Sequence, residues 1–154
     1  MDIGDLLAPK GVVLRGGASS KRQALHALAE ATSHALAVDE SRIFDALMER
    51  EALGSTGLGS GVAVPHARLD EVSQVTAVFV RLDTPVAYDA VDDRPVDLIF
   101  GLYAPSKAGA EHLRALAAVS RAMRSPELRE QLRQARTTDA IRALFVKDTA
   151  ATAA

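Results

Sequence analysis

Apolar residues along the chain recur at helical spacing, then at strand spacing, then at helical spacing again. Leu25, Leu28, Thr32 and Leu36 fall three and four residues apart, which places them on one face of a helix. Ser19 and Ser20 supply N-cap chemistry ahead of it, and the pattern runs to about Ala37. A second helix is predicted from about Asp39 to Glu51, with Ile43, Phe44, Leu47 and Met48 as its apolar stripe. Residues 75–80 and 96–100 are strand-sized runs in which both alternating sets are apolar, so both faces of their sheet should be covered. Between them, residues 84–88 predict a short edge hairpin, and Val12, Val13 and Leu14 predict an edge strand. Beyond Pro105 the helical period returns over about 109–124. Ser125, Pro126 and Glu127 then read as N-cap, first helical residue and first-turn acid of a helix ending near Arg136. Thr137, Thr138 and Asp139 open a last helix to about Val146, and a disordered tail is expected at 149–154. Helices, then doubly covered strands, then helices predict an α/β fold. The expected form is a three-layer α/β/α sandwich with a mixed sheet, in a single domain over 1–148.

Residues 53–66 break this rhythm. Gly54, Gly57, Gly59 and Gly61 punctuate a loop that feeds Val62-Ala63-Val64, and the run stops at Pro65-His66. The loop lacks the Gly-Lys-Ser/Thr ending of a P-loop, and its spacing is not the dinucleotide fingerprint. No Gly-x-Ser-x-Gly elbow sits between a strand and a helix.

Composition narrows the chemistry further. Without cysteine there is no disulfide scaffold, thiolate metal site or cysteine nucleophile. With 18 Lys+Arg against 20 Asp+Glu the formal charge is −2, so no strong field points to nucleic acid. The N-terminus lacks the basic and apolar segments of a secretory signal, and no apolar run reaches the ~18 residues of a spanning helix. A cytoplasmic location without membrane insertion is the expectation.

Four histidines are candidates for function. His34 lies opposite the apolar stripe of its helix and His26 to one side of it, and both read as surface residues. His66 follows a rigid proline and a glycine loop, and a neutral imidazole there is nucleophilic; it also reads as a histidine that merely ends a strand. His112 shares a helix face with Leu116, Val119 and Met123, so it faces inward or into a cleft. It is either a half-buried structural histidine or an anion ligand near a helix N-terminus. Arg50 falls on the Ile43/Leu47 face, where it either snorkels or presents paired donors to an anion. A zinc site built on His66 and His112 is weakly signalled, for want of a carboxylate partner.

Residues 49–66, Glu-Arg-Glu-Ala-Leu-Gly-Ser-Thr-Gly-Leu-Gly-Ser-Gly-Val-Ala-Val-Pro-His, closely resemble the enzyme IIA domain of the mannitol/fructose type. That domain belongs to the bacterial phosphoenolpyruvate-dependent phosphotransferase system. The Leu-Gly-Ser-Thr-Gly wording is most similar to its nitrogen-regulatory branch. The resemblance continues through Val96-Asp97-Leu98-Ile99-Phe100 and Glu111-His112-Leu113, covering roughly residues 5–147. It implies that His66 accepts a phosphoryl group from a small HPr-like phosphocarrier, and that His112 and Arg50 help to hold the phosphate. It implies no cofactor and no metal, since the phosphorylated donor supplies the energy.

Family members commonly carry Asn at Ser60 and Gly at Ala67. Ser60 is expected to keep its donor in the loop, and Ala67 to restrict the backbone after His66. Leu58, Val62 and Val64 are expected to form an apolar docking surface around His66. Two functions fit the resemblance: a regulator whose phosphorylation state controls partners such as transporters or kinases, and a sugar-specific enzyme IIA that passes phosphate to a permease IIB domain. The free-standing chain favours the first. An unrelated small hydrolase using His66 is the third reading.

Overall fold

The computed structural model describes residues 2–153, with side chains described for 2–146. The tail expected at 149–154 lies outside the fully described residues. The chain begins with a single helical turn, α1 (Ile3–Leu6), capped by the Asp2 side chain, which accepts from Gly4 N at 2.9 Å. The sequence reading missed this turn because Gly4 argues against a helix. A side chain at Gly4 would run into Val146, so the glycine is there for packing. Strand β1 (Leu7–Gly16) follows, then α2 (Lys21–Leu36) and α3 (Glu40–Glu51), both as predicted, with Ser20 and Asp39 accepting from the amides of Gln23 and Arg42.

Three short strands, β2 (Gly57–Gly59), β3 (Val62–Ala63) and β4 (His66–Arg68), precede the long strands β5 (Thr76–Val86) and β6 (Val96–Ala104). The sheet order is β1-β5-β6-β3-β2, with β4 also on β6. β1 runs parallel to β5, β5 antiparallel to β6, and β3 and β4 parallel to β6, so the sheet is mixed. The predicted edge strand is longer than its three apolar residues but does lie at the edge.

The hairpin expected at 84–88 does not form. Residues 84–86 complete β5, and Val86 pairs with Val96 after a register shift beyond Arg81. That irregularity accommodates Pro85, which has no amide to give to a ladder.

Each long strand divides its side chains between two cores. Val78, Val80 and Leu82 of β5, with Ile99 and Tyr103 of β6, pack on Leu25, Leu28, Ile43 and Leu47 of α2 and α3. Ala77 and Phe79, with Leu98, Phe100 and Leu102, face the other layer, formed by α1, α4 (Ala110–Ala122), α5 (Pro126–Gln134) and α6 (Thr138–Ala153). Phe79, Phe100 and Phe145 meet there edge to face, with centroids 5.2 to 6.4 Å apart. This is the predicted three-layer α/β/α sandwich. Thr32, read as part of an apolar stripe, is buried because its hydroxyl bonds the Tyr103 hydroxyl at 2.6 Å. Helix α5 stops at Gln134, short of Arg136. Arg81 from β5 donates to the carbonyls of Leu132, Arg133 and Ala135, a cap that no local pattern encodes.

Candidate functional site

Pro65 interrupts the edge of the sheet between β3 and β4, and His66 opens β4 instead of closing the strand before it. Among the described residues no further strand pairs with β4, so α3 and α4 approach His66 at an open edge. Arg50 sits in the last turn of α3, and its Nε donates to His66 Nε2 at 3.1 Å. A second donor, Nη1, is anchored on Gly54 O at 2.9 Å. On the other side of the ring, His66 Nδ1 lies 3.0 Å from Val64 O. A carbonyl only accepts, so Nδ1 carries the hydrogen and Nε2 holds the lone pair facing Arg50. His112, in the first turn of α4, is 6% exposed, and its ring centroid lies 5.7 Å from that of His66. Its Nδ1 is buried without a hydrogen-bond partner among the described residues. The fold therefore brings the three predicted residues into one cluster.

Electrostatics keep both rings neutral. Burial lowers the pKa of His66 first, and the Arg50 charge adds to this, against the opposing pull of the Val64 carbonyl and Glu51. For His112 burial again leads, followed by His66 and Arg68. No carboxylate joins the two rings in a metal-sized group among the described residues. The donors that do come together, within 4.8 Å, belong to His26, Glu30 and Glu40 on the surface of α2 and α3. His26 and His34 are exposed, as their positions on α2 predict.

The expected docking surface around His66 does not form. Val62 and Val64 are 1% and 3% exposed and belong to the core, so they cannot dock a partner. Leu58 is exposed but belongs to the β2–β3 hairpin. The apolar side chains that flank the cluster in the chain are Leu53, 84% exposed beside Gly54, and Leu113, 68% exposed beside His112. The glycine loop is held by its own contacts. Thr56 N is committed to Glu51, Gly57 N to Ser55 Oγ and Ser60 N to Asp92, so these amides hold the loop itself. Ser60 and Gly61, at φ 57° and 81°, form the hairpin turn, far from His66 along the edge. Ala67 lies in regular strand with its side chain in the core, so nothing there demands glycine.

The profile of the family described as phosphoenolpyruvate-dependent sugar phosphotransferase system, EIIA 2, matches residues 5–148. The chain belongs to this family. It is 40% identical over 141 residues to a nitrogen regulatory protein of Bradyrhizobium diazoefficiens, covering 92% of each chain. A fructose-specific EIIA component of Haloferax volcanii is 38% identical over 112 residues, covering 69% of this chain and 73% of its own. The crystal structure of nitrogen regulatory protein IIA-Ntr from Neisseria meningitidis superposes with a TM-score of 0.85 at 36% identity, covering 93% of this chain and 98% of that one. No helix among the described residues of this EIIA 2 protein is long and apolar enough to cross a membrane.

Behind Arg50, the enzyme IIA fold here buries a charged network centred on Glu51, which the helical period already places on the Ile43/Leu47 face. Glu51, next in sequence, accepts from Thr56 N at 3.0 Å, from the Thr56 hydroxyl, and from Lys21 Nζ at 3.1 Å. Thr56 Oγ1 also meets the Tyr88 hydroxyl at 3.2 Å, and Lys21 Nζ stands 4.8 Å from the Tyr88 ring centroid. The network ties the end of α3 to the start of α2 and to the loop that supplies Gly54 O. It fixes the segment from which Arg50 reaches His66. The sequence signal for it is a carboxylate on the apolar stripe, four residues after Leu47 and eight after Ile43, at a helix end where its charge opposes the dipole.

Proposed function

We propose that this enzyme IIA protein accepts a phosphoryl group on His66 Nε2 from the phosphohistidine of an HPr-like phosphocarrier, and that its phosphorylation state regulates partner proteins. The reading is carried by the His66 ring: Nδ1–H is held on Val64 O while the Nε2 lone pair faces Arg50 beside the His112 ring. In the transfer, the bond from phosphorus to the donor nitrogen breaks as the bond to Nε2 forms. The donor ring, protonated on its other nitrogen, leaves with the electron pair as a neutral imidazole, and His66 keeps its Nδ1–H and becomes the cationic, phosphorylated ring. Its hydrogen bond to the Val64 carbonyl strengthens as the charge develops. Arg50, released from the lone pair, turns its donors to the phosphoryl oxygens, and the unpartnered Nδ1 of His112, in the tautomer that carries its hydrogen there, donates a second contact. Positioning and charge neutralisation do the work, and no cofactor or metal enters the step.

The open sheet edge, with the exposed side chains of Leu53 and Leu113 next in sequence to Gly54 and His112, suits a donor carried on a protein surface. Similarity to nitrogen regulatory proteins over nearly the whole chain supports the regulatory role. The similarity to a fructose-specific EIIA component supports a second reading, onward transfer to a permease IIB domain. One experiment separates them. The protein is incubated with phosphoenolpyruvate and purified phosphocarrier enzymes, and IIB domains are then added. A regulator takes up one acid-labile phosphoryl and retains it, whereas rapid loss to a IIB domain supports the sugar-specific reading. Absence of any uptake contradicts both.

A further inference from the structure

Arg68 stands two residues beyond His66 on β4, so strand alternation puts the two side chains on one face, about 6.6 Å apart along the strand. Its Nη1 donates to Ala108 O at 2.7 Å, Ser106 O at 3.2 Å and Pro105 O at 3.4 Å. These carbonyls belong to the turn that leads into α4, whose first turn carries His112. Gly109, the N-cap of α4, has no side chain to cap the helix, so the start of α4 must be held from outside. The same zipper continues with Leu69 N on Ala104 O at 2.9 Å and the Ser106 hydroxyl on Asp70. One guanidinium thus joins the strand that carries His66 to the helix that carries His112.

We propose that Arg68 is a positioning residue for phosphoryl transfer, holding the first turn of α4 so that the His112 ring stays against His66. The inference rests on the proposed function and extends it to a residue that acts through backbone carbonyls. The Arg68 charge also helps to keep His112 neutral.

Arg81 provides an internal control. Its Nη1 makes the same threefold contact, at 2.8, 3.2 and 2.7 Å, with carbonyls at the end of α5. A guanidinium that only fastens chain segments would give the same phenotype at both places. The test compares wild type, Arg68→Met, Arg68→Lys and Arg81→Met by thermal unfolding, by NMR titration of the His112 ring, and by phosphoryl uptake at limiting and saturating phosphocarrier.

Arg68→Met is expected to lower the saturated uptake rate ~10- to 10²-fold, the scale of a misplaced reacting group, with the half-saturating carrier concentration little changed. The His112 titration midpoint should rise, because the ring loses a neighbouring cation and gains water. Arg68→Lys should recover most of the rate, since an ammonium brings three donors on a long stem to the same carbonyls. Arg81→Met should lower the unfolding temperature and leave uptake and the His112 midpoint unchanged. Arg68→Gln serves if Arg68→Met does not fold, with the same signs expected. Unchanged uptake and midpoint in a folded Arg68 variant would overturn the proposal, as would equal slowing in Arg81→Met. Should the wild type take up no phosphoryl at His66, the proposed function fails, while the His112 titration still reports whether Arg68 holds the ring.

Discussion

At the scale of single residues, a hydrogen on one ring nitrogen sets the chemistry. Val64 O fixes it on His66 Nδ1, which leaves Nε2 to react, and burial holds the ring below its ordinary pKa of 6.5. Protons therefore compete for the lone pair only at lower pH than they would on an exposed imidazole. Phosphoryl uptake measured against pH should stay level as pH falls through 6.5 and decline only below it. A midpoint at or above that of a free imidazole would contradict this environment. Arg50 offers a second test. Arg50→Ala should slow uptake by ~10²- to 10³-fold, the loss expected from one oxyanion donor. Arg50→Lys should recover only part, because Nε and Nη1 make different bonds that one ammonium cannot reproduce. Equal rates in rapid-quench assays of all three forms would reduce Arg50 to a structural role.

Among elements, the β2–β3 hairpin and the end of α3 carry the separable predictions. Ser60 occupies left-handed backbone at φ 57°, where asparagine is more comfortable than serine. Ser60→Asn should raise stability by up to about 1 kcal/mol in thermal unfolding. The turn lies about 13 Å along the edge from His66, so uptake should not change. A several-fold change in rate would return the hairpin to the site. At α3, Glu51→Gln removes a buried carboxylate from Lys21 and Thr56 and should cost about 3 kcal/mol in denaturant unfolding. Loss of much less would mean that the network is dispensable.

The two elements also mark where the sequence stops being readable. Helices α2 and α3, with their caps Ser20 and Asp39, follow from spacing and side-chain chemistry, which are local. The central strands could be anticipated from apolar runs, because burial on both faces leaves no polar alternation, but their pairing could not. Arg68 and Arg81 could not, since each owes its role to backbone carbonyls distant in sequence, and the Lys21 partner of Glu51 was hidden for the same reason. His66, Arg50 and His112 were legible through a motif, but the burial of Val62 and Val64 was not. Val62 and Val64 resemble a surface patch beside the motif until the sheet register assigns them to the core.

For the whole molecule, the sandwich holds both rings neutral in the folded state, whereas they titrate near 6.5 when unfolded. The unfolded chain binds more protons in that window. Stability from the two histidines is therefore complete above 6.5 and is lost as pH falls from there toward the lowered values. Phosphorylation places a phosphoryl group of ~1.5 to 2 negative charges, partly offset by the cationic ring, at the open sheet edge. A partner that covers that edge without an arginine to offer must desolvate the new charge and should bind the phosphorylated form far more weakly. Amide exchange in the helices should change little, since the receiving groups already stand in place. The most direct test is to map the phosphoryl group itself by 15N–31P NMR on protein labelled from phosphoenolpyruvate. A single acid-labile, alkali-stable group on Nε2 of His66, absent from a folded His66→Ala variant, is the predicted result. A label on Nδ1, on another residue, or persisting in that variant would contradict it.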